Sequence, residues 1–167
     1  HKLAKSKGIK SINDFFNYKS IKPFIKKKIK FDAIVGSNVI CHIPDQVNLI
    51  KNFDKVLSKN GYIIFEEPYL GSMYKKVSYD QIYDEHIYMF SVSSINKIYK
   101  SFGFKLIDAI PQNTHGGSMR YIISKNFNQK ISNRLKKIFK NEKKFNIDSF
   151  KGCKIFKNKV EKSKINL

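Results

Sequence analysis

Between residues 31 and 65 the chain changes its hydrophobic period twice. Phe31-Asp32-Ala33-Ile34-Val35 is an apolar run of strand length, and it ends in the turn residues Gly36-Ser37-Asn38. Residues 44–59 then put Val47, Ile50, Phe53 and Val56/Leu57 on one stripe at helical spacing, and Asn60-Gly61 closes that helix. Tyr62-Ile63-Ile64-Phe65 resumes a strand. A strand, an amphipathic helix and a second strand in such close succession leave few architectures open. The order predicts an α/β fold with a mainly parallel sheet, its first strand compact and buried.

The flanking segments fit the same frame. Residues 1–7 read as the end of a helix closed by Gly8, Ile9 to Ile12 as a short strand, and Ser20 as the cap of a helix holding Ile21, Phe24 and Ile25. After a loop from 68 to 92, Ser93/Ser94 cap a helix through Ile95, Ile98 and Phe102, ended by Gly103. Phe104–Ile110 and Met119–Ser124 read as two closing strands, paired antiparallel. Beyond Lys125 the sequence turns basic and helical, with Ile131, Leu135 and Ile138 on one face, and residues 147–163 repeat that character with Phe150, Ile155, Phe156 and Val160.

Bulk properties narrow the class. An apolar fraction of 41% with 14% aromatics belongs to a folded domain, and the sequence holds no apolar run long enough to span a bilayer. Cys41 and Cys153 are too few for a disulfide framework and are compatible with a reducing cytoplasm. The net charge of +20 invites a nucleic-acid reading, but of 33 basic residues only Arg120 and Arg134 are arginine. Surfaces that clamp phosphates or read bases favour the arginine fork. Runs such as Lys26-Lys27-Lys28 and Lys143-Lys144 are read as solvated faces, and no nucleic-acid partner is expected.

Two polar motifs carry the chemistry: Tyr83-Asp84-Glu85-His86 and His115-Gly116-Gly117-Ser118-Met119-Arg120. A histidine beside a glutamate supplies a base and a group to orient it. A His-Gly-Gly-Ser stretch lets bare backbone N–H groups approach a ligand closely. The pair points to one polar pocket, and so to an enzyme. Cys41, His42, Glu85, His86 and His115 also include metal-ligand types. Adjacent residues on a strand point to opposite sides, so no metal is expected.

The segment from Phe31 to Asp45, which includes Gly36-Ser37-Asn38 and Cys41-His42-Ile43-Pro44-Asp45, resembles the fourth strand of class I S-adenosylmethionine-dependent methyltransferases. Leu57 to Glu66 resembles the approach to their fifth. With Tyr83-Asp84-Glu85-His86, Tyr88-Met89-Phe90-Ser91 and His115 to Arg120 added, the chain is similar to the nucleotide-sugar C-methyltransferases, which methylate 4-keto-deoxysugars. The resemblance implies a partial class I methyltransferase (Rossmann-like) sheet over residues 1–125, then a helical linker and the start of a further domain over 126–167. The family's glycine-rich loop, its acidic ribose-binding residue and its N-terminal zinc-binding cysteines are absent from these residues. The chain is accordingly read as an internal fragment whose own cofactor binding is weak.

The same resemblance implies roles. His86 is the base that removes a proton beside the ketone, since an imidazole titrates near neutrality (pKa ~6.5). Glu85 and Tyr83 orient it or hydrogen-bond the ketone oxygen. His115, Gly116, Gly117, Ser118, Arg120 and Glu67 face the substrate, with Arg120 on its diphosphate or else paired to a carboxylate. Asn38, His42, Asp14 and Phe15 face S-adenosylmethionine, Asn38 because the carboxyl end of a parallel strand borders the crevice. Tyr88 and Phe90 are read as core or pocket wall. The competing readings are a small-molecule O- or N-methyltransferase and a basic nucleic-acid-binding module.

Overall fold

The apolar alternation in three segments builds the middle and one side of a four-stranded sheet. The structure, a computed structural model, describes residues 1–165. The strands are β1 (Phe31–Ser37), β2 (Leu57–Pro68), β3 (Lys105–Gln112) and β4 (Ser118–Ser124), in the order β1-β2-β4-β3. β1 and β2 are parallel and are joined through α3 (Gln46–Val56), as a parallel pair requires a crossover. β4 runs antiparallel to both β2 and β3. The closing antiparallel pair is as the sequence predicts, but the sheet is mixed, not mainly parallel. The reason is the short 113–117 connection, which can only return the chain beside its own strand.

The core lies where β2 and β4 meet α3 and α5 (Val92–Lys100). Phe65 sits between Tyr99 and Tyr121, with ring centroids 5.7 and 5.0 Å away, and Ile50, Phe53, Val92, Ile95, Leu106 and Ile123 close around them. Within α3, Leu49, Ile50, Phe53 and Val56 are buried, while Val47, assigned to the stripe from spacing, is 48% exposed. The helix also ends at Val56, short of Asn60-Gly61, because β2 already begins at Leu57. β1 is not the buried strand its apolar run implies. It is the edge of the sheet, mostly exposed, with Val35 at 73%.

Capping chemistry sets several boundaries that apolar periodicity misses. Asn17 caps α2 (Tyr18–Lys26), and Ser20 is the reciprocal partner in its capping box, not the cap. Ser91 caps α5 in the same way with Ser94, so Ser93 and Ser94 lie inside the helix. Residues 9–12 form no strand, and Ile9 and Ile12 are exposed. They follow α1 (Lys2–Ser6) and Gly8, whose φ of 74° suits a helix terminus. The segment read as a loop from 68 to 92 holds α4 (Leu70–Lys76) and a 3₁₀ turn at Tyr79–Gln81.

Two helices follow the sheet. α6 (Asn133–Phe145) is capped by Ser132, buries Leu135, and leaves Ile131 outside the helix. α7 runs over Phe150–Ile165. The Glu142 carboxylate of α6 reaches the first turn of α5, accepting from the Val92 N–H (2.7 Å), the Ser93 N–H (2.8 Å) and the Tyr69 hydroxyl (2.8 Å). A buried anion at a helix N-terminus satisfies donors that the helix itself cannot.

Candidate active site

The parallel pairing of β1 and β2 brings the carboxyl ends of both strands together, at Asn38 and at Glu66-Glu67-Pro68. β4 begins opposite Pro68, so the 113–117 loop that precedes it reaches the same end of the sheet. Open α/β sheets bind ligands at such an end. Here it holds a cleft of about 670 Å³ lined by Asn38, His42, Tyr83, His86, His115 and Gly116 together with the stretch after α4. Both polar motifs of the sequence therefore meet in one place.

His86 is held by two directed contacts. Its Nδ1 lies 2.8 Å from the Gln81 carbonyl, which can only accept, so Nδ1 carries the hydrogen. Nε2 is then the basic nitrogen of the neutral ring, and the Tyr83 hydroxyl donates to it at 2.8 Å. Glu85 contributes only its backbone: its carbonyl accepts from His42 Nδ1 at 2.5 Å, and its side chain does not line the cleft. The orienting group is thus the Gln81 carbonyl, which no side-chain motif could announce. The His42 and His86 rings lie 5.1 Å apart.

Asn38 ends β1 in the left-handed region, with φ of 51°. Its N–H donates to the Glu66 carbonyl (2.8 Å) and its Nδ2 to His115 Nε2 (3.3 Å). Its Oδ1 is buried and has no partner among the described residues. Glu67 is fully buried behind it and accepts from the Val39 and Ile40 N–H groups at 3.0 and 2.7 Å. It holds the turn after β1 and does not line the cleft.

The His115-Gly116-Gly117 loop passes through three successive left-handed residues, with φ of 48°, 72° and 124°. The glycines serve packing as much as ligand approach. A Cβ on Gly116 would stand 2.7 Å from Gln81 Nε2, and one on Gly117 would stand 2.6 Å from Ser72. The Gly117 N–H is already taken by the Thr114 carbonyl (2.8 Å), and Ser118 is buried with its hydroxyl on that same carbonyl. Arg120 lies outside the cleft and pairs across the strands with Glu66 at 3.0 Å. The Thr114 hydroxyl and the Arg120 guanidinium hold the Glu66 carboxyl below the usual carboxylate range.

Asp14 and Phe15 are not brought to this cleft. They line a separate groove with Phe24, Phe31 and Ile34, and Phe15 is 88% exposed. Tyr88 stacks on buried Phe90 and donates to the Pro44 carbonyl; the two belong to the core and do not line the cleft. The sequence reading missed Lys76, Ser78, Asp80 and Gln81, all of which line the cleft. Lys76 ends α4, and Ser78, Asp80 and Gln81 follow it through Val77, a β-branched residue at φ of 59°. Such a conformation costs roughly 1–3 kcal/mol and concentrates at functional sites. No hydrophobic period marks this stretch, so the sequence offered no signal for it.

Cys41, His42 and His86 are the described residues whose arrangement could hold a metal, with ligand atoms within 4.8 Å of one another. Cys41 and His42 sit in a 3₁₀ turn, so the strand argument for their divergence does not apply. The set is nevertheless poor. Both His86 nitrogens are engaged, and burial followed by the neighbouring Glu67 carboxylate pushes the Cys41 thiol well up, away from the thiolate a metal needs. For S-adenosylmethionine, the unpaired buried Asn38 Oδ1 at the end of β1 fits a polar cofactor group, whereas Asp14 and Phe15 do not share its cleft.

The mixed sheet, its flanking helices and the crevice at the carboxyl ends of β1 and β2 define an α/β fold. A solved SAM-dependent methyltransferase from Thermotoga maritima, described as a possible histamine N-methyltransferase, matches it with a TM-score of 0.52. Identity is 16%, over 75% of this chain and 68% of that one, and the likeness bears on the fold alone. The profile of the methyltransferase domain matches residues 3–109, so the chain belongs to the methyltransferase family, and residues 113–167 match the C-methyltransferase C-terminal domain. The C-methyltransferase NovU of Streptomyces niveus is 26% identical over 117 residues, 70% of this chain. The chain spans 28% of the length of NovU.

Proposed function

We propose that this chain is the substrate-facing part of an S-adenosylmethionine-dependent C-methyltransferase acting on a nucleotide-linked 4-keto-deoxysugar, with His86 as the base. The observation that supports this reading best is the Tyr83–His86 pair at the cleft, with the His86 ring fixed from behind by the Gln81 carbonyl. A ketone acidifies the carbon beside it. Tyr83 turns its hydroxyl from Nε2 to the ketone oxygen, and Nε2 takes the proton from that carbon. The electron pair left behind moves into the enolate, whose oxygen the phenol stabilises. When bound, S-adenosylmethionine would supply the electrophilic methyl group to the enolate carbon and leave as S-adenosylhomocysteine, and Asn38 and His42, which line the cleft, would hold it. Afterwards the proton on His86 passes to solvent. A cytoplasmic setting agrees with two free cysteines.

The test is the position of the transferred methyl. The full-length protein is incubated with a 4-keto-deoxysugar nucleotide and methyl-¹³C S-adenosylmethionine, and the product is read by NMR. A carbon-bound methyl next to the ketone is expected. A methyl on oxygen or nitrogen would replace this reading by the small-molecule O- or N-methyltransferase alternative.

A further inference from the structure

Lys76 is the single permanent cation among the described residues lining the cleft. Its Nζ donates to the Gly116 carbonyl at 2.6 Å, linking the end of α4 to the 113–117 loop. Arg120, for which the sequence reading left open a diphosphate or a carboxylate partner, has its counter-ion in Glu66 and is not among the lining residues. Removing it toward a ligand would leave the Glu66 carboxylate with an unpaired charge. Lys76 bonds only a neutral carbonyl and is exposed, so it exchanges partners without that penalty. The left-handed turn at Val77 is what lets residues on both sides of it, Lys76 and Ser78, line the same cleft. Asp80 is the one carboxylate among the described residues lining the cleft.

We infer that Lys76 is the anion-binding residue of the cleft, taking a diphosphate oxygen of the substrate in exchange for the Gly116 carbonyl. The inference rests on the nucleotide-sugar reading of the same cleft. It also gives the loop a response to substrate, because the release of Gly116 frees the backbone beside His115 and Asn38.

The experiment is calorimetric titration of the 167-residue chain with inorganic pyrophosphate, alongside the Lys76→Met, Lys76→Arg and Arg120→Met variants. Binding is expected to weaken about tenfold or more in Lys76→Met, to survive in Lys76→Arg, and to be unchanged in Arg120→Met. Pyrophosphate should also shift the Gly116 and His115 amide resonances of the unmodified chain, a readout independent of whether any variant folds. Equal affinity in Lys76→Met, loss confined to Arg120→Met, or no pyrophosphate binding and no shift in the unmodified chain would overturn the assignment. Pyrophosphate binding involves no methyl transfer, so its failure is distinguishable from failure of the C-methyltransferase reading.

Discussion

At the scale of single residues, the cleft depends on which atom of each side chain is already occupied. His86 has its Nδ1–H on the Gln81 carbonyl, so the Tyr83 hydroxyl meets the lone pair that takes the proton in the proposed step. Tyr83→Phe frees that lone pair but removes the donor aimed at developing charge. We expect turnover of the full-length protein to fall roughly 10²–10³-fold in Tyr83→Phe, measured as kcat on the keto-sugar nucleotide. Unchanged turnover would remove Tyr83 from the chemistry. Glu66 ties the Thr114 hydroxyl and Arg120 to the sheet, and its folded pKa is depressed by those contacts. The stabilisation is therefore present above the unfolded glutamate pKa of ~4.3 and is lost as pH falls through the lower folded value. Amide exchange of residues 114–117 should rise in that acid range, and Thr114→Ala should move the rise to higher pH. His86, His42, Asn38 and His115, which line the cleft, were singled out in the sequence because their types and positions announce them. Lys76 and Gln81 were not, since one lysine among many carries no mark and a backbone carbonyl carries none at all.

Elements are fixed by short polar contacts at their ends. Glu142 supplies acceptors to two N–H groups and two hydroxyls at the α5 terminus, the second hydroxyl being that of Ser93 at 2.5 Å. Burial, and then that carboxylate, push the Tyr69 phenol well up. Glu142→Ala leaves buried donors unpaired, and we expect a loss of about 2–4 kcal/mol in urea unfolding. A loss under 1 kcal/mol would mean that water replaces the carboxylate. Gly152 lets α7 approach the end of α6, where a Cβ would stand 2.0 Å from the Asn146 carbonyl. Gly152→Ala should cost roughly 1–3 kcal/mol by forcing that backbone apart. The same end-contacts explain what the sequence reading missed. The stripes of α3 and α5 were visible as periodicity. Asn17 and Ser91 were passed over as caps because a neighbouring serine stood in each case where the apolar pattern began. α4 escaped because seven residues interrupted by Gly71 show no period.

For the whole molecule, the sheet decides what the cleft can be. β1 and β2 present their carboxyl ends, and the antiparallel return of β4 delivers the glycine loop to the same rim. That convergence was legible from the two polar motifs, which pointed to one pocket, and not from the order of elements, which predicted a mainly parallel sheet. The edge position of β1 was not, because an apolar run looks alike in a buried strand and in one flanked by a single neighbour. Among the described residues no helix is long and apolar enough to cross a membrane. The 167 residues contain no glycine-rich loop after a first strand, so we expect this chain alone to bind S-adenosylmethionine weakly by calorimetry, and a micromolar Kd would contradict that. The central claim is that His86 takes a proton from carbon. It is tested most directly by incubating the full-length protein and its His86→Asn variant with the 4-keto-deoxysugar nucleotide in deuterium oxide, without a methyl donor. Deuterium should enter the carbon beside the ketone, ~10²–10⁴-fold faster with His86 present than with asparagine. Equal exchange rates in the two proteins would contradict the claim.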